Sequence, residues 1–182
     1  NDGMLHGFDA ATGAERIAYV PRGLLGKFVA LSNSSYTHQF SVDGQPFTGD
    51  ADLGGTDRWQ TLLVSGLGGG GKGYFILNVT NPTNAAKPNV FSEANASSLV
   101  KFDTTADTDG DLGHIYSPPV VDDARPEKSK QIVKMNNDRW AVVMGNGYNS
   151  TNEKPVLLIQ YVDGDKALVK IMPATCASGT CQ

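Results

Sequence analysis

Pro-Val-Leu-Leu-Ile-Gln-Tyr-Val-Asp-Gly-Asp-Lys-Ala-Leu-Val-Lys-Ile-Met, residues 155–172, decides the fold class. Two runs rich in Val, Leu and Ile, 155–162 and 166–172, flank Asp163-Gly164, a pair that suits the positive φ angles of a type I′ hairpin turn. The stretch reads as two antiparallel strands. Upstream, 131–135 and 139–144 form a second hairpin about Asn136-Asn137-Asp138. Further back, Arg-Trp-Gln-Thr-Leu-Leu-Val-Ser (58–65) and Tyr-Phe-Ile-Leu-Asn-Val-Thr (74–80) are strands joined by a glycine run. At the start, 4–8 and 15–20 flank Asp9-Ala10-Ala11-Thr12-Gly13, an Asp-led turn closed by a residue free to take positive φ. Residues 99–102 give a short strand before an acidic turn.

One helical signal interrupts the strands. Pro21 suits the first position of a short helix, and Leu24, Leu25, Phe28 and Leu31 recur at helical spacing. Residues 81–98, rich in Asn, Ala, Ser and Pro, read as a long connection holding at most a helical turn. Paired strands without alternating helices argue against a parallel α/β sheet and favour an all-β antiparallel meander of the kind that makes propeller blades. Three rough units begin near Asn1, Arg58 and Arg139. At roughly 40–50 residues per blade, the chain holds part of a ring rather than a closed one. Residues 1–182 therefore read as part of a single β-propeller domain, a fragment of a larger protein, with loops at 32–56 and 81–111 offering partner contacts. Trp59, Tyr74, Phe75, Trp140 and Tyr148 read as packing residues between blades.

Composition agrees with a folded chain. Of 182 residues, 40% are hydrophobic and 19% charged, enough apolar content to exceed the cost of ordering. Glycine numbers 21, as many tight turns require. A net charge of −4 gives no electrostatic reason to seek nucleic acid or anionic lipid. No apolar run approaches the roughly 20 residues of a membrane-spanning helix.

Several motifs invite chemistry. Gly66-Leu67-Gly68-Gly69-Gly70-Gly71-Lys72-Gly73 matches parts of two phosphate-binding signatures, but both need a helix N-terminus directly after them, and a strand stands there instead. A flexible hairpin loop is the expectation. Asp107, Asp109 and Asp111 alternate in Asp-Thr-Asp-Gly-Asp, a spacing that lets a tight loop aim several oxygens at one Ca²⁺; the alternative is a solvated acidic turn. An EF-hand register fails, with Leu112 and Pro118 at the positions needing glycine and an acid. His6, His38 and His114 show no metal-ligand spacing, and no catalytic residues stand out. Cys176 and Cys181, separated by Ala-Ser-Gly-Thr, suit a short-loop disulfide in an oxidising compartment, the alternative being two free thiols.

Three stretches carry a family resemblance. Asn-Asp-Gly-Met-Leu-His-Gly-Phe-Asp-Ala-Ala-Thr-Gly (1–13) resembles a blade motif of quinoprotein-like propellers, and in particular its form in the PilC/PilY family. The segments 59–82 and 140–150 are similar to two later signatures of that family, and Asp111-Leu112-Gly113 with Ser117-Pro118-Pro119-Val120 falls where the family has a comparable pair. The resemblance implies a modified, quinoprotein-like β-propeller in an exported, outer-membrane-associated protein of the type IV pilus. It implies a non-enzymatic role at the pilus tip: promoting extension against retraction, engaging minor pilins, and attaching to host cells or abiotic surfaces. Some members carry a calcium loop of form D-x-D/N-x-D-x-x-x-D; Asp107, Asp109 and Asp111 match its first three acids, with Ile115 at the fourth. The first motif is shared with quinone-dependent dehydrogenases, so a propeller enzyme of that kind is the alternative, although this sequence lacks their vicinal cysteine pair and any haem motif. A ligand-binding propeller unrelated to pili is a third reading.

Overall fold

The computed structural model describes residues 2–87 and 89–172. Twelve strands and two single-turn α-helices make up the described part. The strands are β1 (Leu5–Phe8), β2 (Glu15–Tyr19), β3 (Phe47–Asp52), β4 (Trp59–Gly66), β5 (Tyr74–Asn78), β6 (Val100–Asp103), β7 (Val121–Asp122), β8 (Arg125–Ser129), β9 (Ile132–Lys134), β10 (Trp140–Gly145), β11 (Leu157–Tyr161) and β12 (Leu168–Ile171). The helices are α1 (Phe28–Leu31) and α2 (Ala96–Leu99). No described helix is long and apolar enough to cross a membrane.

The strands pair as expected, in antiparallel meanders. Two four-stranded sheets, β3-β4-β5-β6 and β9-β10-β11-β12 in spatial order, are accompanied by two hairpins, β1-β2 and β7-β8. The central sheet lies between two layers, and β5 shows why its sequence runs Tyr-Phe-Ile-Leu before the closing Asn78. Its residues alternate faces. Tyr74 and Ile76, with Ala51, Leu62 and Val64, pack against Ile132, Val142, Met144 and Leu158 of the second sheet. Phe75 and Leu77 turn the other way, onto Leu24 and Leu67, with Leu5, Ile17 and Tyr19 of the first hairpin closing the layer. A strand buried on both faces has no polar side to show.

Polar ties join these layers. The buried Tyr74 hydroxyl donates to Gln160 Oε1 at 2.7 Å, and the Gln160 amide nitrogen donates to the carbonyls of Tyr161 and Lys166. Tyr19 Oη and the Arg22 backbone N–H both donate to Asp103 Oδ2, at 2.6 and 2.8 Å. Lys128 pairs with Asp50. The indoles of Trp59 and Trp140 meet edge to face, 5.7 Å apart, across the two sheets.

The structure corrects several expectations. The segment 32–56, expected as a surface loop, contains β3, so the central blade begins at Phe47 rather than near Arg58; the last begins at Ile132 rather than near Arg139. The hairpin β7-β8 was not expected from its polar sequence. The short helix is a 3₁₀ turn over Arg22–Lys27 continued by α1, with Pro21 just before its first residue, and of its apolar residues Leu24 is buried while Leu25 and Leu31 are exposed. Residue Leu99 ends α2 rather than opening a strand. The Asp163-Gly164 turn is wider than a two-residue type I′ turn. Tyr161 N–H donates to Ala167 O and Lys166 N–H to Asp163 O, with positive φ at Gly164 and Lys166. The Asn136–Asp138 turn is as expected, Asp138 taking φ 62°.

Candidate functional site: the loop-bearing end

Strand register gathers the long connections at one end. Gly66 lies opposite Tyr74, Phe47 opposite Val64 and Phe75 opposite Asp103. The connections before β3, between β4 and β5, and after β6 therefore leave the central blade on the same side. The β10–β11 connection joins them there. Segment 112–117 threads between loops 67–73 and 146–156. Gly73 N–H donates to Gly113 O and Gly113 N–H to Asn146 O, while His114 and Tyr148 exchange both backbone bonds at 2.8 and 3.1 Å.

Glycine makes this interlock possible. A Cβ at Gly70 would lie 1.5 Å from Ser41 O, and one at Gly147 would lie 2.0 Å from His114 O. Gly147 also takes φ 77°, which a side chain disfavours. The glycine run thus joins β4 to β5 as the expected hairpin loop, shaped by a tight 3₁₀ turn over Gly68–Gly70. Its carbonyls are engaged: His114 Nδ1–H donates to Gly68 O at 2.7 Å, and Lys27 Nζ to Gly70 O at 2.7 Å.

Aromatic side chains crown this clasp. Tyr116 and Tyr148 stack with centroids 5.4 Å apart and planes 25° apart, and His114 lies 5.7 Å from the Tyr148 ring. Tyr148, read from sequence as interior packing, is 61% exposed and Tyr116 46%. Partial burial, then the hydrogen bond to the Tyr148 hydroxyl, raise the Tyr116 phenol above its ordinary pKa. Two adjoining cavities of about 350 and 580 Å³ meet at Tyr148, one formed by the 147–155 loop and the other reaching His114 and Tyr116.

The acidic turn lies beside this end, and its three aspartates part company. Lys170 Nζ, from β12, sits 2.6 Å from Asp109 and 2.8 Å from Asp111. Asn152 Nδ2 donates to Asp111 Oδ1 at 2.7 Å. Asp107 instead faces Arg22, at 3.0 Å. The Lys170 and Asn152 hydrogen bonds hold Asp111 below the usual carboxylate range. For Lys170, burial favours the neutral amine, but the bonds to Asp109 and Asp111 outweigh it and raise its pKa. Among the described residues no three acidic, His or Cys side chains are grouped to hold one metal ion. Sequence spacing pointed to this loop but not to the two cations that meet it. The Cys176–Cys181 pair lies outside the described residues. Tyr116, Asn149 and Glu153, which line the two cavities, were not singled out from sequence; the turn chemistry of Asn146-Gly147-Tyr148-Asn149 was the one local signal.

Stacked four-stranded antiparallel meanders with their connections gathered at one end define blades of a β-propeller. The PilY1 beta-propeller domain family model matches residues 1–182. A type IV pilus biogenesis factor PilY1 homolog of Xylella fastidiosa is 40% identical over 159 residues, covering 87% of this chain and 9% of the relative. The type IV pilus biogenesis factor PilY1 of Pseudomonas aeruginosa is 38% identical over 162 residues, covering 87% of this chain and 12% of its own. The crystal structure of the Pseudomonas aeruginosa PilY1 C-terminal domain superposes with a TM-score of 0.65 at 32% identity, over 98% of this chain and 29% of that one. The chain belongs to the PilY1 β-propeller domain family. It spans about a tenth of the length of these curated relatives, 9% and 12%.

Proposed function

We propose that this chain supplies blades to the propeller of a type IV pilus biogenesis factor that acts without catalysis, as a binding scaffold. The observation that carries this reading is the family match over residues 1–182; the names of the relatives support it. In this reading the parent protein is exported and outer-membrane associated, and sits at the pilus tip or cell surface. It favours extension over retraction, engages minor pilins, and attaches to host cells or abiotic surfaces. A rigid stack of sheets with its loops at one end suits such a task, because loops held by a scaffold carry recognition. The test is deletion of the parent gene, with surface pili counted in the presence and absence of the retraction motor. Pili should fall when the motor is present and recover when it is removed. Unchanged piliation in both backgrounds overturns the reading.

Two finer expectations join this proposal. A Cys176–Cys181 disulfide would suit an exported protein. Ca²⁺ at Asp107, Asp109 and Asp111 would have to displace Lys170 from two carboxylates and draw Asp107 from Arg22. Calorimetric titration with Ca²⁺, repeated on Lys170→Met, tests it: binding that strengthens in the variant supports the site, and none in either protein overturns it.

A further inference from the structure

The 146–156 connection has a backbone built more tightly than a simple link between strands needs. Among the described residues, the non-glycine residues with positive φ are Asp138, Asn149, Glu153 and Lys166. Asp138 and Lys166 belong to short hairpin turns, whose geometry asks for it. Asn149 and Glu153, at φ 58° and 51°, lie in the longer connection, and such conformations persist when the surroundings impose them. The surroundings here do so. The buried Asn146 donates from Nδ2 to the carbonyls of Asp111 and Lys154 and accepts from Val156 N–H. Asn152 bonds Gly110 O through its backbone and Asp111 through its side chain. The clasp at Gly147 fixes the other flank.

On this fixed backbone, the side chains of Asn149 and Glu153 reach solvent with no hydrogen bond or ion pair to another described residue. Between them and Tyr116 stands the exposed Tyr148 ring, at the junction of two cavities. Aromatic faces beside an unspent amide and carboxylate, on a pre-set loop, are the parts of a ligand site. The charged residues lining the two cavities, Glu153 and Lys154, are one of each sign, and the Asp43 carboxylate acts on Tyr116 from beyond them, so the site does not select a phosphate or a polyanion.

We infer that this site binds a neutral sugar ring of a surface glycan. A pyranose presents C–H groups on one face, which suit the electron-rich face of a tyrosine ring. It also presents hydroxyl pairs at its edge, which can donate to the Glu153 carboxylate and exchange hydrogen bonds with the Asn149 amide. A proline-rich peptide also uses tyrosine ridges. It offers carbonyls and few donors, however, leaving the Glu153 carboxylate without a partner. The inference rests on the adhesive reading above and gives the surface ligand its chemical class.

The test places the full-length protein on an array of neutral oligosaccharides built from glucose, galactose, mannose and N-acetylglucosamine, with sulfated and sialylated glycans and a deca-proline peptide alongside. At least one neutral glycan should bind. Titration of that glycan should weaken by about tenfold for Tyr148→Ala and stay within about threefold for Tyr148→Phe, since the ring face is what stacks. If Tyr148→Ala fails to fold, as its circular dichroism would reveal, Glu153→Ala decides, because that side chain is exposed. No bound neutral glycan, binding indifferent to these variants, or binding of deca-proline or charged glycans alone overturns the inference. Piliation separates this outcome from the broader one. A protein that restores pili to a deletion strain yet binds no neutral glycan sinks the sugar site alone, whereas unchanged pili on deletion sink the biogenesis role alone.

Discussion

Replacing Gly147 with alanine should unlock the loop-bearing end, and Gly54→Ala provides the matched control. The two glycines share nearly the same positive φ, 77° and 72°, so an added Cβ imposes a conformational cost of about 1 kcal/mol at each. Their surroundings differ. Nothing lies within 4 Å of a Cβ at Gly54, whereas at Gly147 it would stand 2.0 Å from His114 O and 2.3 Å from the carbonyl carbon. Restoring ordinary contact requires the two segments to part by more than an ångström. That separation breaks the paired His114–Tyr148 backbone bonds, each of which contributes about 1 kcal/mol, and loosens the stacked tyrosines. The total for Gly147→Ala is about 3–5 kcal/mol, against about 1 kcal/mol at Gly54. At roughly 2–4 °C per kcal/mol for a domain of this size, melting monitored by circular dichroism should fall by about 3 °C for Gly54→Ala and about 10 °C for Gly147→Ala. Two variants melting within about 2 °C of each other would refute the close approach of these loops.

The cross-layer ties carry further outcomes. Tyr74→Phe leaves buried Gln160 Oε1 without its donor and should cost about 1–3 kcal/mol, read as a lower urea midpoint with an unchanged slope; an unaltered midpoint contradicts the interlayer bond. Lys170→Met removes the cation shared by Asp109 and Asp111 and should destabilise by about 1–3 kcal/mol, less so at high salt. Because Asp111 is held below its ordinary value of 3.8, its contribution is fully present above that pH and lost as pH falls through the folded value. An acid-unfolding midpoint that Lys170→Met leaves in place counts against the pairing. His6 is raised above 6.5 by its bonds to Glu15 and then Asp2, so this clamp is complete below pH 6.5 and weakens as pH rises through the folded value. An NMR titration of the His6 imidazole should give a midpoint above 6.5 that falls in Glu15→Gln; a midpoint at or below 6.5 in the parent protein rejects the clamp.

The strands easiest to read from sequence were those buried on both faces. β5 and β10 announce themselves because burial leaves no polar alternation to confuse them. β3, Phe-Thr-Gly-Asp-Ala-Asp, was illegible because its strand character comes from distant partners. Asp50 accepts from Thr61 Oγ1 and pairs with Lys128, and Gly49 lies directly beneath Ile132. Its local propensity points to a loop, and tertiary contacts override it. The same holds at the candidate site. The alternating aspartates marked a charged turn, but their cations come from Lys170 and Arg22, 59 to 85 positions away. Tyr148 read as interior packing because the local sequence does not say which side of a glycine-fixed turn meets water. The nucleotide-like glycine run was legible in one respect: the segment Tyr74–Asn78 directly after it is strand β5, where a phosphate site would need the start of a helix.

The interlayer bonds also determine how the blades meet mechanical load. Tyr19 and Arg22 with Asp103, Lys128 with Asp50, Tyr74 with Gln160, and Lys170 with Asp109 and Asp111 join positions 59 to 86 residues apart. Tension on the chain should be shared among these crosslinks instead of being met one strand at a time. The central blade should then yield abruptly, releasing at most about 190 Å of extended chain from residues 47–103 at roughly 3.4 Å per residue, with little lengthening beforehand.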